Sequence, residues 1–191
     1  RLCKRYFIHF IWGKEFIMAV WNVIDHQETG SGGDASYSKT SIGTSYDHLY
    51  FTASARISTS AIYTTAYVEF NSDTGTNYSV KANYAIGGTQ YAGSNNSGNN
   101  INYVYAPSAT ADADIFGTIE VWIPYYANTA NYKQALCTWG FSNGSAANNI
   151  LGSTAGIWMS TAAIDTFKLA AGSGTFDQYS TYTLYGINGA A

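Results

Sequence analysis

The sequence predicts an all-β protein, an antiparallel β-sandwich of jelly-roll type with about eight or nine strands. Three observations predict it. Apolar residues recur at every second position in several separate runs, the period of a half-buried strand. Clusters of Gly, Asn, Ser and Asp fall between those runs, where turns are needed. No stretch carries the 3.6-residue period of an amphipathic helix.

The runs can be taken in order. In Leu49-Tyr-Phe51-Thr-Ala53-Ser-Ala55-Arg-Ile57 the odd positions are apolar and the even ones mostly polar. In Ile62-Tyr-Thr-Thr-Ala66-Tyr-Val68-Glu-Phe70 the even positions form the apolar face, with Thr64 the exception, and put Tyr63 and Tyr67 together on the polar side. Asn71-Ser-Asp-Thr-Gly-Thr-Asn77 supplies turn chemistry. Tyr78, Val80, Ala82, Tyr84 and Ile86 resume the period until Gly87-Gly88. Residues 92–100 (AGSNNSGNN) read as an exposed loop. Ile101, Tyr103 and Tyr105 form a further run that Pro107 ends. Ile115, Ile119, Val121 and Ile123 alternate with Phe116, Thr118, Glu120 and Trp122 up to Pro124. Ala135, Cys137, Trp139 and Phe141 mark a strand before a polar loop at 142–149. Phe167 and Leu169 mark another, and Tyr182, Leu184 and Gly186 alternate with Thr181, Thr183, Tyr185 and Ile187 at the end. The N- and C-terminal strands are candidates to pair in one sheet, as in a jelly roll. No repeat at a fixed period and no linker divides residues 18–191, which read as one domain.

Composition narrows the function classes. Charged residues make up only 11% of the 191-residue chain, yet it holds 17 Tyr, 9 Phe and 5 Trp, so it has the means to build a core. The formal net charge is −3, and residues 18–191 carry five cations against eleven acids. A mildly acidic body is a poor partner for nucleic acid or an anionic membrane. Of the two cysteines, Cys137 lies in an apolar run and reads as a small buried hydrophobe. A free thiol fits folding in a reducing cytoplasm.

Residues 1–17 (RLCKRYFIHFIWGKEFI) stand apart and hold four of the nine cations. The apolar stretch is too short to span a membrane, and Lys14-Glu15 follows it where a secretory signal would place a small-residue cleavage site. Lys14-Glu15 can be encoded AAG-GAG, the form of a bacterial ribosome-binding site, just ahead of Met18. The segment is therefore expected to be a translated upstream region outside the fold, with Met18 the natural start.

Residue types capable of chemistry are sparse. His48 is on the polar side of its run, beside Asp47, and neighbours along a strand point to opposite faces, which does not suit a Ser–His–Asp triad. Asp112, Asp114 and Glu120 are the one set of acids near enough in sequence to consider for glycoside hydrolysis, and they read as solvated loop and strand residues. Asp73 in its Asn-Ser-Asp-Thr-Gly-Thr-Asn turn is similar to calcium loops but lacks their carboxylate count. The Gly pairs match no phosphate-binding signature, and no His or Cys spacing suits a metal. No catalytic residue and no cofactor are expected. Tyr63, Tyr67, Tyr125 and Tyr126 are the candidate surface contacts, since exposed tyrosines stack on sugars or form protein interfaces.

Several stretches together resemble a family. Ser45-Tyr-Asp-His-Leu49, Phe70-Asn-Ser-Asp-Thr-Gly-Thr-Asn-Tyr78, Ile123-Pro-Tyr-Tyr-Ala-Asn128, Gly156-Ile-Trp-Met-Ser-Thr-Ala-Ala-Ile164 and Ser180-Thr-Tyr-Thr-Leu-Tyr-Gly-Ile187 are similar to segments of uncharacterised structural proteins of tailed marine bacteriophages. The resemblance covers roughly residues 22–187. It implies a virion-associated β-sandwich that decorates a capsid or forms part of a fibre, with a start near Met18. Met159 stands where the family resemblance implies a charged residue. The expected role is therefore a virion structural subunit, self-associating as a homo-oligomer such as a trimer and docking on other virion proteins. A carbohydrate-binding host-recognition module and a glycan-degrading enzyme are the alternatives. A concave aromatic cluster with polar neighbours would favour sugar, and a flat patch would favour assembly.

Overall fold

The computed structural model describes residues 20–144 and 148–188. Met18 and the segment read as a translated upstream region lie outside the described residues. Twelve strands are present among the described residues: β1 (Val20–Glu28), β2 (Ser36–Lys39), β3 (His48–Ala55), β4 (Tyr63–Phe70), β5 (Tyr78–Ile86), β6 (Thr89–Gly98), β7 (Ile101–Pro107), β8 (Gly117–Pro124), β9 (Lys133–Phe141), β10 (Ile150–Trp158), β11 (Phe167–Ala171) and β12 (Thr181–Asn188). They form two antiparallel sheets in the orders β1-β12-β3-β8-β9-β10-β5-β6 and β2-β11-β4-β7. The fold is a β-sandwich.

The order explains the count. β1-β12-β3-β8 and β2-β11-β4-β7 are the paired four-stranded sheets of a jelly roll, with the first and last strands adjacent. The remaining four strands extend one sheet. β5 and β6 leave between β4 and β7, β9 and β10 leave between β8 and β11, and β10 pairs with β5 to join the two excursions.

Twelve strands exceed the expected eight or nine because β2, β6 and β10 escape a reading based on alternation. β2 has four residues. β6 covers most of the segment expected to be a loop at 92–100. It is an edge strand held by backbone bonds to β5, and such pairing places no demand for apolar side chains. β10 carries Gly152, Thr154 and Gly156 on the positions that face the other sheet. A Cβ at Gly152 would stand 2.5 Å from the Trp139 ring, and one at Gly156 would stand 2.7 Å from Ile101. The core is filled there by neighbouring strands, so the inward phase of β10 is apolar only at its two ends, Ile150 and Trp158, and shows no alternation between them.

Between the sheets lies an aromatic core. Tyr37 stacks on Tyr182 at 5.2 Å between ring centres and meets Phe51 at 5.3 Å, and Phe51 meets Phe167 at 4.6 Å. Phe70, Tyr78 and Trp158 continue it. Large side chains buried without charge supply most of the stabilisation, about 1.5–3 kcal/mol for each fully buried apolar side chain. No helix among the described residues is long and apolar enough to cross a membrane.

Candidate functional site

The outer face of the eight-stranded sheet is the most distinctive surface. Alternation sends every second side chain outward, and the register aligns them in rows across the strands. One row runs Val23, Tyr185, Tyr50, Trp122, Leu136 and Ala155 across β1, β12, β3, β8, β9 and β10. The next runs His26, Thr183, Thr52, Glu120, Thr138 and Ser153 over the same strands. An apolar band therefore lies beside a polar one. The polar band is internally bonded: His26 Nδ1 is 2.8 Å from the Thr183 hydroxyl, and Thr138 donates to Glu120 at 3.0 Å. Burial and a hydrogen bond to Glu120 push the Tyr50 hydroxyl up to about 12, so it stays protonated near neutrality.

Several apolar side chains on this face are open to solvent. Trp21 is 52% exposed, Val23 61%, Leu136 49% and Leu151 70%. Trp21 meets Tyr50 and Tyr185 edge-on at 5.0 and 5.7 Å, which fixes its orientation. A shallow cleft of about 530 Å³ adjoins the polar band, lined by Glu120, Thr138, Gly140 and Leu151 among others.

The four candidate tyrosines do not form one patch. Tyr63 and Tyr67 sit half-buried on the four-stranded sheet, Tyr63 against Tyr105 at 5.5 Å and Tyr67 beneath the Lys168 ammonium at 5.9 Å. Lys168 itself pairs with the buried carboxylate of Glu69 at 2.8 Å. Tyr125 is 63% exposed at the end of β8. Tyr126 is fully buried and is corrected from surface contact to core. The physical reason is the backbone of Tyr125, whose φ of 47° turns the chain. Tyr126 then drops inward, where its hydroxyl accepts from the Tyr46 amide at 3.4 Å and its carbonyl from Ile164 at 3.0 Å.

Beyond the tyrosines, the chemistry-capable residues have structural partners. The Asp73 carboxylate accepts from the Gly75 amide at 2.9 Å, Asn77 Nδ2 at 2.9 Å and Trp158 Nε1 at 2.7 Å. These bonds, that of Trp158 foremost, hold it below its ordinary pKa. It closes the β4–β5 turn and ties it to β10. His48 Nδ1 accepts from the Tyr125 amide at 3.1 Å, and its ring lies 5.0 Å from Trp122 and 4.8 Å from Tyr125. Asp112 and Asp114 are exposed in the loop before β8, whereas Glu120 belongs to the polar band on the sheet. No cluster of three or more His, Cys, Asp or Glu that could hold a metal occurs among the described residues. Cys137 is a free, fully buried thiol that burial pushes up to about 12. As a thiol rather than a thiolate it is unreactive.

Sequence reading missed Trp21, Val23, Tyr132, Leu136 and Leu151. Leu136 carried a signal, since it falls on the polar phase of a run whose apolar phase is Ala135, Cys137 and Trp139. An apolar residue out of phase on a strand is exposed by construction. No family model matches the chain, and no curated protein matches it.

Proposed function

We propose that the protein is a structural subunit of a tailed-phage virion, decorating the capsid or belonging to a fibre, and that it acts through protein–protein contacts of the large sheet's outer face. The observation that carries the reading is the apolar row from Val23 to Ala155, which includes exposed Leu136, with exposed Trp21 and Leu151 beside it. Contiguous exposed apolar surface marks interaction sites. The polar band beside it offers hydroxyls, an imidazole and a carboxylate for pairing at the rim of such a contact. Low charge lets identical copies approach without repulsion. The phage assignment rests on the resemblance of residues 22–187, and jelly rolls occur in viral capsids at the level of fold analogy. The reading includes closed self-association, with a trimer as the expected form. It assigns no catalytic residue and places the protein in the virion after synthesis in the bacterial cytoplasm.

The test is light scattering on a sizing column together with co-sedimentation on purified capsids. The expected result is a stable oligomer or capsid binding, lost in Val23→Asp/Leu136→Asp with the circular dichroism spectrum unchanged. A monomer that ignores capsids would sink the reading.

A further inference from the structure

We propose a second, separate site: a groove at the β8–β9 connection that binds a neutral sugar. It holds about 470 Å³ and is lined chiefly by Tyr125, Asn128, Asn131, Tyr132, Gln134 and Ile157. That volume falls within the range of small-ligand sites. Tyr125 and Tyr132 are 63% and 53% exposed, so two aromatic rings stand open beside three amide side chains.

The lining decides the ligand class. None of the lining residues is charged, which disfavours phosphates, sulfates and carboxylates. Aromatic rings offer apolar faces to the C–H side of a pyranose, and primary amides can donate and accept at once to its hydroxyls. Asn128 Oδ1 already accepts from the Ala130 amide at 2.7 Å, which leaves its Nδ2 as the free donor. The side chains of Asn131 and Gln134 have no partner among the described residues.

The groove is held in place before any ligand arrives. Tyr125 keeps a φ of 47°, a conformation that costs a non-glycine residue energy and persists only when its surroundings enforce it. The enforcing contacts are its amide to His48 Nδ1 at 3.1 Å and its carbonyl accepting from the Asn128 amide at 3.0 Å. Buried Tyr126 anchors the next residue in the core. At the other end, the buried Lys133 ammonium donates to the Asn131 carbonyl at 2.8 Å and the Thr161 carbonyl at 3.2 Å. Both ends of the connection are pinned while the two rings between them stay solvated. A fixed aromatic surface binds at low entropic cost.

The experiment is affinity electrophoresis of the full chain through gels containing dextran, mannan, laminarin, galactan or, as an anionic control, heparin. At least one neutral polysaccharide should retard the protein. Tyr125→Ala and Tyr132→Ala should each weaken that retardation by about tenfold, the scale of one lost aromatic contact. Tyr91→Ala, an exposed tyrosine elsewhere, should leave it unchanged. Circular dichroism controls for folding, and Tyr125→Phe, which keeps the ring, should retain binding if Tyr125→Ala fails to fold. No retardation by any neutral polymer overturns the site, as does retardation by heparin alone or retardation that survives both alanine variants. A change of oligomeric state in Tyr125→Ala without sugar binding would instead make the groove a contact between copies, and would also overturn it.

Discussion

Arg56 bears more of the loop architecture than any other single side chain described. Its Nη1 donates to the carbonyls of Asp112 and Ile115 at 2.9 and 3.1 Å, and its Nη2 to those of Ala111 and Ala109 at 3.1 and 3.4 Å. Nε lies 3.4 Å from the Asp177 carboxylate. One guanidinium thus fixes the 108–116 loop over the end of β3. Arg56→Gln is expected to lower stability by about 2–3 kcal/mol, the worth of hydrogen bonds to a charged group together with carbonyls left unpaired. Urea unfolding followed by fluorescence would check it. Asp73 is the residue whose pH dependence can be assigned a sign. Its pKa is lowered in the folded protein, so its contribution is fully present above the ordinary carboxylate value of about 3.9 and lost as pH falls through the lower folded value. Asp73→Asn should therefore flatten the acid limb of a stability-versus-pH curve. An unchanged limb would show that other carboxylates govern it. Neither role was legible beforehand. Arg56 and Asp73 appear in the sequence as an arginine in a strand and an acid in a turn; the carbonyls that Arg56 binds lie 53 or more residues away, and Trp158, which ties Asp73 to β10, lies 85 residues away.

At the scale of elements, β10 is the informative case. Its inward positions between Ile150 and Trp158 are Gly152, Thr154 and Gly156, and the space above the two glycines is occupied by Trp139 and Ile101. Gly156→Val is expected to cost about 1–3 kcal/mol by overpacking against Ile101. Ile101→Ala in the same chain should recover part of the loss, since the two substitutions share one volume. A double-mutant cycle by thermal unfolding reads this directly, and simple additivity would refute the packing account. The strands with strict alternation, β3, β4, β5, β8, β9 and β12, were visible in the sequence because each carries its own apolar face. β10 and β6 were not, because one borrows its core from neighbours and the other is held through its backbone.

Over the whole molecule, the sandwich core packs tyrosines together with aliphatics and phenylalanines. Tyr37, Tyr78, Tyr126 and Tyr182 are fully buried. Burial raises the pKa of each above the ordinary value, and Tyr182 reaches about 12. A raised folded value means stability is present below the unfolded pKa of about 10 and is lost as pH climbs through the folded values. The protein should therefore unfold cooperatively in alkali, with tyrosinate absorbance and loss of circular dichroism appearing together. Gradual ionisation of all tyrosines without unfolding would contradict this. The outer face of the large sheet, proposed for assembly, and the groove proposed for sugar are also properties of the whole. Val23, Tyr50, Trp122 and Leu136 belong to four strands spread from β1 to β9, and only the sheet register aligns them.

The sequence by itself determined the all-β class, most of the strands, the turn at Asn71–Asn77, the buried thiol and the low charge. Each of these follows from local period, turn chemistry or composition, which neighbours along the chain suffice to set. Tertiary structure alone decided that the sheets hold eight and four strands, that β1 closes on β12, and that Tyr126 is core while Tyr125 stands exposed. It also decided that the outward residues of separate strands fall into apolar and polar rows. These outcomes depend on register and on contacts between residues far apart in the chain, and a one-residue slip in pairing would send each side chain to the opposite face.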